Sequence, residues 1–404
     1  MTGGRRIYLD NAATTRPLRA VVERMAEVQL ELFGNPSSAH AFGPPARRAL
    51  DDARDFLRGS VGAARLVFTS GGSEADCLGI VGAAATRSSG RVLMARSDHP
   101  ALLQCDRQLA RHRQHVTVLP VTPAGDVAPE TLFDALGTDV RVVALMYGHN
   151  ELGTLCQLHE LVELTRRTAP EAHVHVDLVQ TYGKLPFDMD DFGVDSVAVS
   201  GHKFHGPRGA GFLALSSTAE IAPLLLAGGQ EGGLRGGTEN VAGAVGLSVA
   251  AEHCLTHQAA TAAHTDGLAE RVLGAVRRAL PDAVRLGHPE RKLPHILSLR
   301  LPRVPGEVLM QRCDARGVAF SVGSACHATP DDGNHGAVSQ PAENPVLAAI
   351  GLDRQAAREV VRLSFSAETS ADDADTAAAI LVEEALALRD ATVDRGTRTG
   401  AKRR

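Results

Sequence analysis

Lys203 and its neighbours are the first residues whose types and spacing could carry out chemistry. The segment Ser200–His205 reads SGHKFH and directly follows the apolar, β-branched run Val194–Val199. Such a run predicts a buried strand. A lysine at the end of a buried strand is partly desolvated, which lowers the pKa of an amine and favours Schiff-base formation with an aldehyde. The other interpretation of this segment is a solvated surface turn.

Polar residues of complementary types follow other predicted strands. After the strand Leu66–Thr69, the sequence SGGSE at 70–74 predicts a glycine turn that opens a helix. Its N–H groups and the Ser73 hydroxyl can bind a phosphate group, although an ordinary helix N-cap has the same sequence. Later strand ends supply an imidazole, an amide, a carboxylate and a second amide: His99, Asn150, Asp177 and Gln180.

This combination predicts a pyridoxal phosphate site. The cofactor needs a lysine for its Schiff base, a carboxylate beside its pyridine nitrogen, a flat group against its ring, and N–H or O–H donors for its phosphate. Each residue alone has an ordinary interpretation as a solvated or capping group. Their occurrence at separate strand ends favours one shared cofactor.

The elements that must position these residues alternate along the chain. Short apolar runs are separated by helical segments such as 130–136 and 158–168, and this alternation predicts an α/β fold with a largely parallel sheet. Ligands of such sheets bind beyond the carboxyl ends of the strands. The predicted strands are Leu66–Thr69, Arg91–Met94, Val116–Leu119, Val142–Met146, Val174–Val176 and Ser196–Val199.

The pattern changes after about residue 255. A helical stretch at 259–280, an alternating strand at 296–300 and a last helix at 371–389 predict a smaller α+β domain. The loop 324–345 within it is rich in Gly, Pro, Asp, Asn and His.

The length of 404 residues exceeds the size at which a single hydrophobic core keeps growing, so we expect two domains. The expected large domain, which binds the cofactor, covers 16–255. The expected small domain combines 1–15 with 256–394 and carries the loop, and a polar tail follows at 395–404.

Composition disfavours several functional classes. The formal net charge is −5 and charges of both signs are interspersed, so neither nucleic acid nor a membrane surface is an expected partner. No apolar run approaches the roughly 18 residues of a membrane span, and we expect a cytoplasmic protein without a secretory leader. The six cysteines include no C-x-x-C pair, and Cys326 alone has a setting typical of a reactive thiol.

The chain resembles the pyridoxal-phosphate-dependent cysteine desulfurases of the nitrogen-fixation and iron–sulfur-cluster type. The resemblance extends over nearly the whole chain and includes YLDNAATT at 8–15, GNPSS at 34–38, SGHK at 200–203 and RLSF at 362–365. It implies the aspartate-aminotransferase fold, fold type I. The implied reaction converts L-cysteine to L-alanine and leaves the sulfur on an enzyme cysteine as a persulfide.

The resemblance also implies roles for single residues. Lys203 would hold the cofactor covalently, His99 would stack on the pyridine ring, and Asp177 would face the ring nitrogen. Arg362 would bind the substrate carboxylate near Asn150. The other implied cofactor contacts are Gln180 to the phenolic oxygen and, to the phosphate, Gly72, Ser73, Ser200, His202 and Thr238. Since the residue at the position of Thr238 reaches the cofactor of the neighbouring subunit in this family, we expect a homodimer.

Cys326 would be the sulfur-accepting nucleophile. It ends the small-residue run in SVGSACH at 321–327, as in the family motif. A thiolate there would attack the sulfur of bound L-cysteine and present the resulting persulfide to an acceptor protein. A loop position suits a thiol that must reach both the substrate and that acceptor.

Three features depart from the family's usual pattern. SEADC at 73–77 replaces Thr-Glu-Ser-Asn-Asn, which predicts different hydrogen bonding behind the phosphate. Ser366-Ala367 replaces Gly-Arg, so Arg362 is the one evident carboxylate anchor. Extra polar residues at 327–344 lengthen the loop after Cys326 and leave the acceptor open.

Other functions remain open at the level of sequence. The long loop and SVGSACH are also similar to selenocysteine lyases, which share the fold, the cofactor and the cysteine position. A different pyridoxal phosphate reaction, such as transamination, would need no mobile cysteine. A non-catalytic scaffold of the same fold is disfavoured by the presence of Lys203 and Cys326. A zinc site at His327 and His335 matches no common ligand spacing.

Overall fold

A computed structural model describes residues 6–226, 228–323 and 344–400, with the backbone alone for 391–400. The strands are β1 (Ile7–Tyr8), β2 (Arg65–Thr69), β3 (Gly90–Ala95), β4 (Gln114–Leu119), β5 (Val140–Met146), β6 (His173–Asp177), β7 (Ser196–Ser200), β8 (Gly211–Leu215), β9 (Val284–Arg285), β10 (Ile296–Arg300), β11 (Val318–Ala319), β12 (Ser321–Val322) and β13 (Val360–Ser364).

The α-helices are α1 (Arg19–Glu31), α2 (Gly43–Gly59), α3 (Gly72–Cys77), α4 (Ala83–Ala85), α5 (Pro100–Leu103), α6 (Asp106–Arg111), α7 (Pro129–Ala135), α8 (Leu158–Thr168), α9 (Met189–Phe192), α10 (Val241–Thr256), α11 (Gln258–Ala279), α12 (Gly306–Ala315), α13 (Pro345–Ala349), α14 (Arg354–Ala357) and α15 (Ala371–Gly400). One π-helical turn, Leu78–Gly82, joins α3 to α4.

A seven-stranded sheet forms the centre of the fold, in the order β2-β8-β7-β6-β5-β3-β4. Strands β4, β3, β5, β6 and β7 pair in parallel, and β8 is antiparallel to both of its neighbours. The prediction of an α/β fold with a largely parallel sheet is therefore confirmed, and each of the six predicted strands is present. Strand β8 has no clear signal in the sequence, because its short apolar run lacks alternation and is equally compatible with a helix segment.

The central strands are covered on both faces, so they are apolar almost throughout. Strand β6 is the exception, because His173, His175 and Asp177 occupy every second position and all are buried. Alternate residues of a strand point to the same face, which places these three polar side chains in one row. The row ends at the carboxyl edge of the sheet with Asp177.

A second, antiparallel sheet has the order β12-β13-β10-β9 and lies in a separate hydrophobic core with α11 and α15. Strand β1 joins this region by pairing in parallel with β11. Helix α1 instead packs into the core of the large sheet through Val21 and Val28. The chain therefore crosses from one core to the other directly after its first strand.

Helix α15 continues to Gly400, past the predicted end at residue 389 and into the segment expected as a tail. A nucleated helix gains one hydrogen bond for each residue that it adds, and this favours extension over an early stop. Within the described ranges, no helix combines the length and the apolar character that crossing a bilayer requires.

Candidate active site

A cavity of about 580 Å³ opens at the carboxyl ends of β5, β6 and β7. This volume lies within the usual range of roughly 300–1,000 Å³ for small-molecule sites. Among the predicted site residues that the structure describes, Thr238 and Arg362 do not line the cavity. The predicted residues that do line it are Gly72, Ser73, His99, Asn150, Asp177, Gln180, Ser200, His202 and Lys203.

One end of the cavity is a turn that leaves N–H groups available. Gly71 has φ 153° and ψ −173°, a backbone conformation that is essentially restricted to glycine. Helix α3 begins at the next residue, and its first internal hydrogen bond runs from Ala75 N to Gly71 O (3.1 Å). The N–H groups of Gly72, Ser73 and Glu74 therefore have no acceptor within the helix and suit an anion.

Lys203 lies in a single 3₁₀ turn after β7. Its Nζ donates to the carbonyl oxygens of Ala12 and Ala13, at 2.8 Å in each case. The neighbouring His202 ring contacts Thr14, with Nδ1 3.1 Å from Oγ1. The segment after β1 thus closes this side of the cavity and holds the amine in place.

Asp177 and His99 lie at other strand ends around the same space. Asp177 Oδ1 accepts a hydrogen bond from Val179 N (2.7 Å). Burial, reinforced by the nearby carboxyl of Asp76, raises the pKa of Asp177 to about 8. His99 caps α5, and its Nδ1 accepts from Ala101 N (3.1 Å), so a neutral ring carries its proton on Nε2.

Arg362 lies behind the cavity on β13. Its guanidinium donates to Asn150 O (2.9 Å) and to Asp10 Oδ1 (2.8 Å), and its Nε is buried without an acceptor among the described residues. Gln180 is also engaged, since its Nε2 donates to Ala12 O (2.9 Å). Arg362 therefore contacts the backbone of Asn150, which lines the cavity. Its ion pair is with Asp10, which does not line the cavity.

The proposed nucleophile Cys326 lies outside the described residues, as do His327 and His335. The two ends of that segment are described, and they meet. Asn344 Nδ2 donates to Gly323 O and to Glu151 Oε2 (2.9 Å), and Asn344 Oδ1 caps α13. In the part of the chain that the structure describes, no group of three or more His, Cys, Asp or Glu side chains could hold a metal ion.

The lining chemistry fits pyridoxal phosphate. A turn with unused N–H donors at one end suits the phosphate, an amine beside the cavity suits the aldehyde, and a buried carboxyl suits a cationic ring nitrogen. These three groups lie at or just after the carboxyl ends of three different strands, β2, β7 and β6, so the sheet edge brings them together.

The family model of class-V aminotransferases matches residues 7–376. The chain belongs to the class-V aminotransferase family. This class-V aminotransferase is 34% identical over 375 residues to the cysteine desulfurase NifS of Azotobacter vinelandii, which covers 91% of this chain and 90% of the relative. It is 33% identical over 373 residues to the cysteine desulfurase IscS of Dictyoglomus turgidum. That alignment covers 91% of this chain and 92% of the relative.

Solved structures agree with this membership. A NifS-like protein superposes on the class-V aminotransferase with a TM-score of 0.84 at 30% identity, covering 94% of this chain and 98% of the other. The predicted family and fold class are thereby confirmed. The domain boundaries and the single-residue roles stay predictions.

Sequence reasoning missed several residues that line the cavity of this class-V aminotransferase. Thr14 stands in the YLDNAATT string, and Arg208 follows the lysine segment, but neither was assigned a role. Asp76 was noted as a departure from the usual pattern, without a position in the site. Its contact with His175, 99 residues away, depends on how α3 crosses the sheet and has no local signal.

Proposed function

We propose that this class-V aminotransferase is a cysteine desulfurase that converts L-cysteine to L-alanine and transfers the sulfur to Cys326. The observation that carries the proposal is the cavity at the ends of β5, β6 and β7, where an amine, a buried carboxyl, an imidazole and a turn with unused N–H groups meet. Relatives named cysteine desulfurases, aligned over nine-tenths of the chain, support this choice among the reactions of the family.

The residues that would hold pyridoxal phosphate are those of the cavity. The turn at Gly72 and Ser73, with Ser200 and His202, would bind the phosphate, His99 would lie against the ring, and Asp177 would face the ring nitrogen. When bound, pyridoxal phosphate supplies an electron sink for negative charge that develops on the substrate. Lys203 would anchor it and then hold the proton that leaves the substrate α-carbon.

Arg362 would bind the substrate carboxylate with its planar pair of N–H groups. The Cys326 thiolate would attack the substrate sulfur, so that an S–S bond forms as the C–S bond breaks. The carbon fragment takes up one proton at the β-carbon, where the sulfur has left, and regains one at the α-carbon from Lys203, so that it leaves as alanine. The persulfide remains on the enzyme. We further propose that a protein accepts this sulfur and that the reaction takes place in the cytoplasm.

The experiment that tests the proposal uses the purified protein loaded with pyridoxal phosphate. Stoichiometric alanine and sulfide from L-cysteine, with dithiothreitol as the reductant that releases the persulfide sulfur as sulfide, would support it. The same assay with L-selenocysteine distinguishes the lyase function, because a dedicated selenocysteine lyase would release selenide but form almost no alanine from L-cysteine.

We expect a homodimer in which Thr238 completes the site of the partner subunit. Thr238 is exposed and lies away from the cavity of its own chain. Beside it, Leu225 and Leu226 expose 53% and 81% of their surface, and Gly236 N donates to Leu225 O (3.1 Å). Exposed leucines next to a predicted phosphate donor are typical of a protein interface.

Sedimentation at micromolar concentration should give twice the chain mass of 42.5 kDa. The sharper measurement is complementation. When inactive Lys203→Ala chains and impaired Thr238→Ala chains form mixed dimers, one site of each mixed dimer carries both defects and the other carries neither. Random mixing should restore about a quarter of the wild-type sites. An active monomer, or mixed dimers no better than the parents, would contradict the shared site.

A further inference from the structure

A buried chain of hydrogen bonds starts at the cavity and runs beneath α3. Asp76 Oδ1 lies 3.2 Å from His175 Nε2, His175 Nδ1 lies 2.8 Å from Ser196 Oγ, and the same Oγ lies 2.7 Å from His173 Nε2. None of these four residues is more than 1% exposed. Asp76, where this chain of hydrogen bonds starts, lines the cavity together with Asp177.

Two features of the fold position this hydrogen-bond chain, namely the pairing of β6 with β7 and a glycine over the His175 ring. Ser196 pairs with His175 across β6 and β7. The π-helical turn passes over the His175 ring with Gly79, where a Cβ atom would lie 2.4 Å from His175 Nδ1. Single π-turns within helices often mark functional sites. A side chain at residue 79 would displace the imidazole, so this glycine is part of the arrangement.

The donor and acceptor at each step of this hydrogen-bond chain can be assigned from its end at His173. His173 Nδ1 is buried and has no hydrogen-bond partner among the described residues. A buried donor without a partner costs more than a buried acceptor without one, so His173 carries its proton on Nε2 and donates to Ser196. The Ser196 hydroxyl then donates to His175 Nδ1. His175 consequently holds its own proton on Nε2 and donates it to Asp76.

This direction favours the ionised form of Asp76. Burial lowers the pKa of His175 to about 4 and also lowers that of His173, so both rings are neutral at pH 7. Burial and, to a smaller extent, the neighbouring Cys77 raise the pKa of Asp76 well above its usual range, and the N–H donor of His175 opposes this rise because it stabilises the carboxylate. The other titratable groups that act on the Asp76 and Asp177 carboxyls are His175 and Lys203 on Asp177, Asp98 on both, and Cys77 on Asp76.

We propose that Asp76, oriented by His175, is a positioning residue that raises the proton affinity of Asp177 and of a ring nitrogen bound against it. A second carboxylate at the cavity floor disfavours the loss of the proton that Asp177 and the ring nitrogen share. The inference rests on the proposed function, because it concerns the pyridine nitrogen of bound pyridoxal phosphate. It also gives a reason for the carboxylate in SEADC, where the family usually has an amide.

The test is Asp76→Asn, which keeps an oxygen that can accept from His175 and removes the charge. Wild type and variant are loaded with ¹⁵N-labelled pyridoxal phosphate, and the ¹⁵N chemical shift of the ring nitrogen is followed from pH 6 to 10. We expect the midpoint of deprotonation to fall by about one pH unit or more in the variant. Ser196→Ala, which keeps both carboxyls but breaks the chain, should lower it by less.

Two results would overturn the inference. One is an equal chemical shift in wild type and Asp76→Asn at every pH, including protonation of both up to pH 10. The other is a shifted midpoint in Asp76→Asn with none in Ser196→Ala, which would remove the role of the chain. A wild-type protein that retains no pyridoxal phosphate would instead contradict the proposed function, so the two failures are distinguishable.

Discussion

Lys203→Ala should lose the covalent link to pyridoxal phosphate and lower alanine formation by roughly 10³-fold or more. The reason is geometric, because the Lys203 amine lines the cavity and is held there by two backbone carbonyls. The measurement is the visible absorption band together with borohydride reduction, which fixes the cofactor permanently to the lysine that carries it. Mass spectrometry of the digested wild type should find the label on the Lys203 peptide.

Lys184 provides the matched control. Burial lowers the pKa of its amine to about 7, so a part of this amine is uncharged at neutral pH, as a Schiff base requires. It donates to Gln180 O (3.1 Å) and does not line the cavity. Lys184→Ala should therefore keep the band and the borohydride label. A label on Lys184, or normal turnover by Lys203→Ala, would show that the wrong lysine has been assigned.

Cys326→Ser should bind pyridoxal phosphate and L-cysteine normally and yet form no alanine above background, a loss of roughly 10²-fold or more. Binding does not need the thiol, whereas the removal of sulfur does. The measurements are the alanine yield and mass spectrometry of the wild type after brief exposure to L-cysteine. The peptide that contains Cys326 should gain the mass of one sulfur atom.

The thiol pKa values of the described cysteines show which other cysteine should be substituted as a control. Burial raises the thiol pKa of Cys254 to about 11 and of Cys313 to about 12, and it also raises that of Cys156. A hydrogen bond with Cys105 instead lowers the pKa of Cys77, which is half-buried. Cys77→Ser should nevertheless keep the wild-type rate. Sulfur found on Cys77, or an active Cys326→Ser variant, would exclude the assigned nucleophile.

Sequence alone predicted much of the site because parallel strands end at one edge of a sheet. Once the apolar runs of β5, β6 and β7 were recognised, the polar residues after them had to meet there. The reversal of β8 had no comparable signal, since it depends on a glycine-rich connection that returns the chain beside β7. The direction of that strand is set by the turn and by burial between β2 and β7.

Contacts between distant segments were the other gap. Asp10 and Arg362 form an ion pair although 352 residues separate them, and neither position carries a pattern that indicates the partner. The resemblance gave Arg362 a role without giving the carboxylate that holds it. The same limit applied to Asp76 and His175, whose contact requires knowledge of the helix that lies over β6.

The hydrogen bond between Asn344 and Gly323 holds these two residues together. The number of residues between them can therefore vary without a change in the surrounding fold. Gly323 directly follows β12 and Asn344 directly precedes α13, so these two elements need not move when the number of residues between Gly323 and Asn344 changes. Doubling the length of a flexible loop costs only about 0.6 kcal/mol in closure entropy. Insertions or deletions between Gly323 and Asn344 can therefore adapt the protein to a different partner, if it acts as the proposed sulfur donor, without moving the residues that line the cavity.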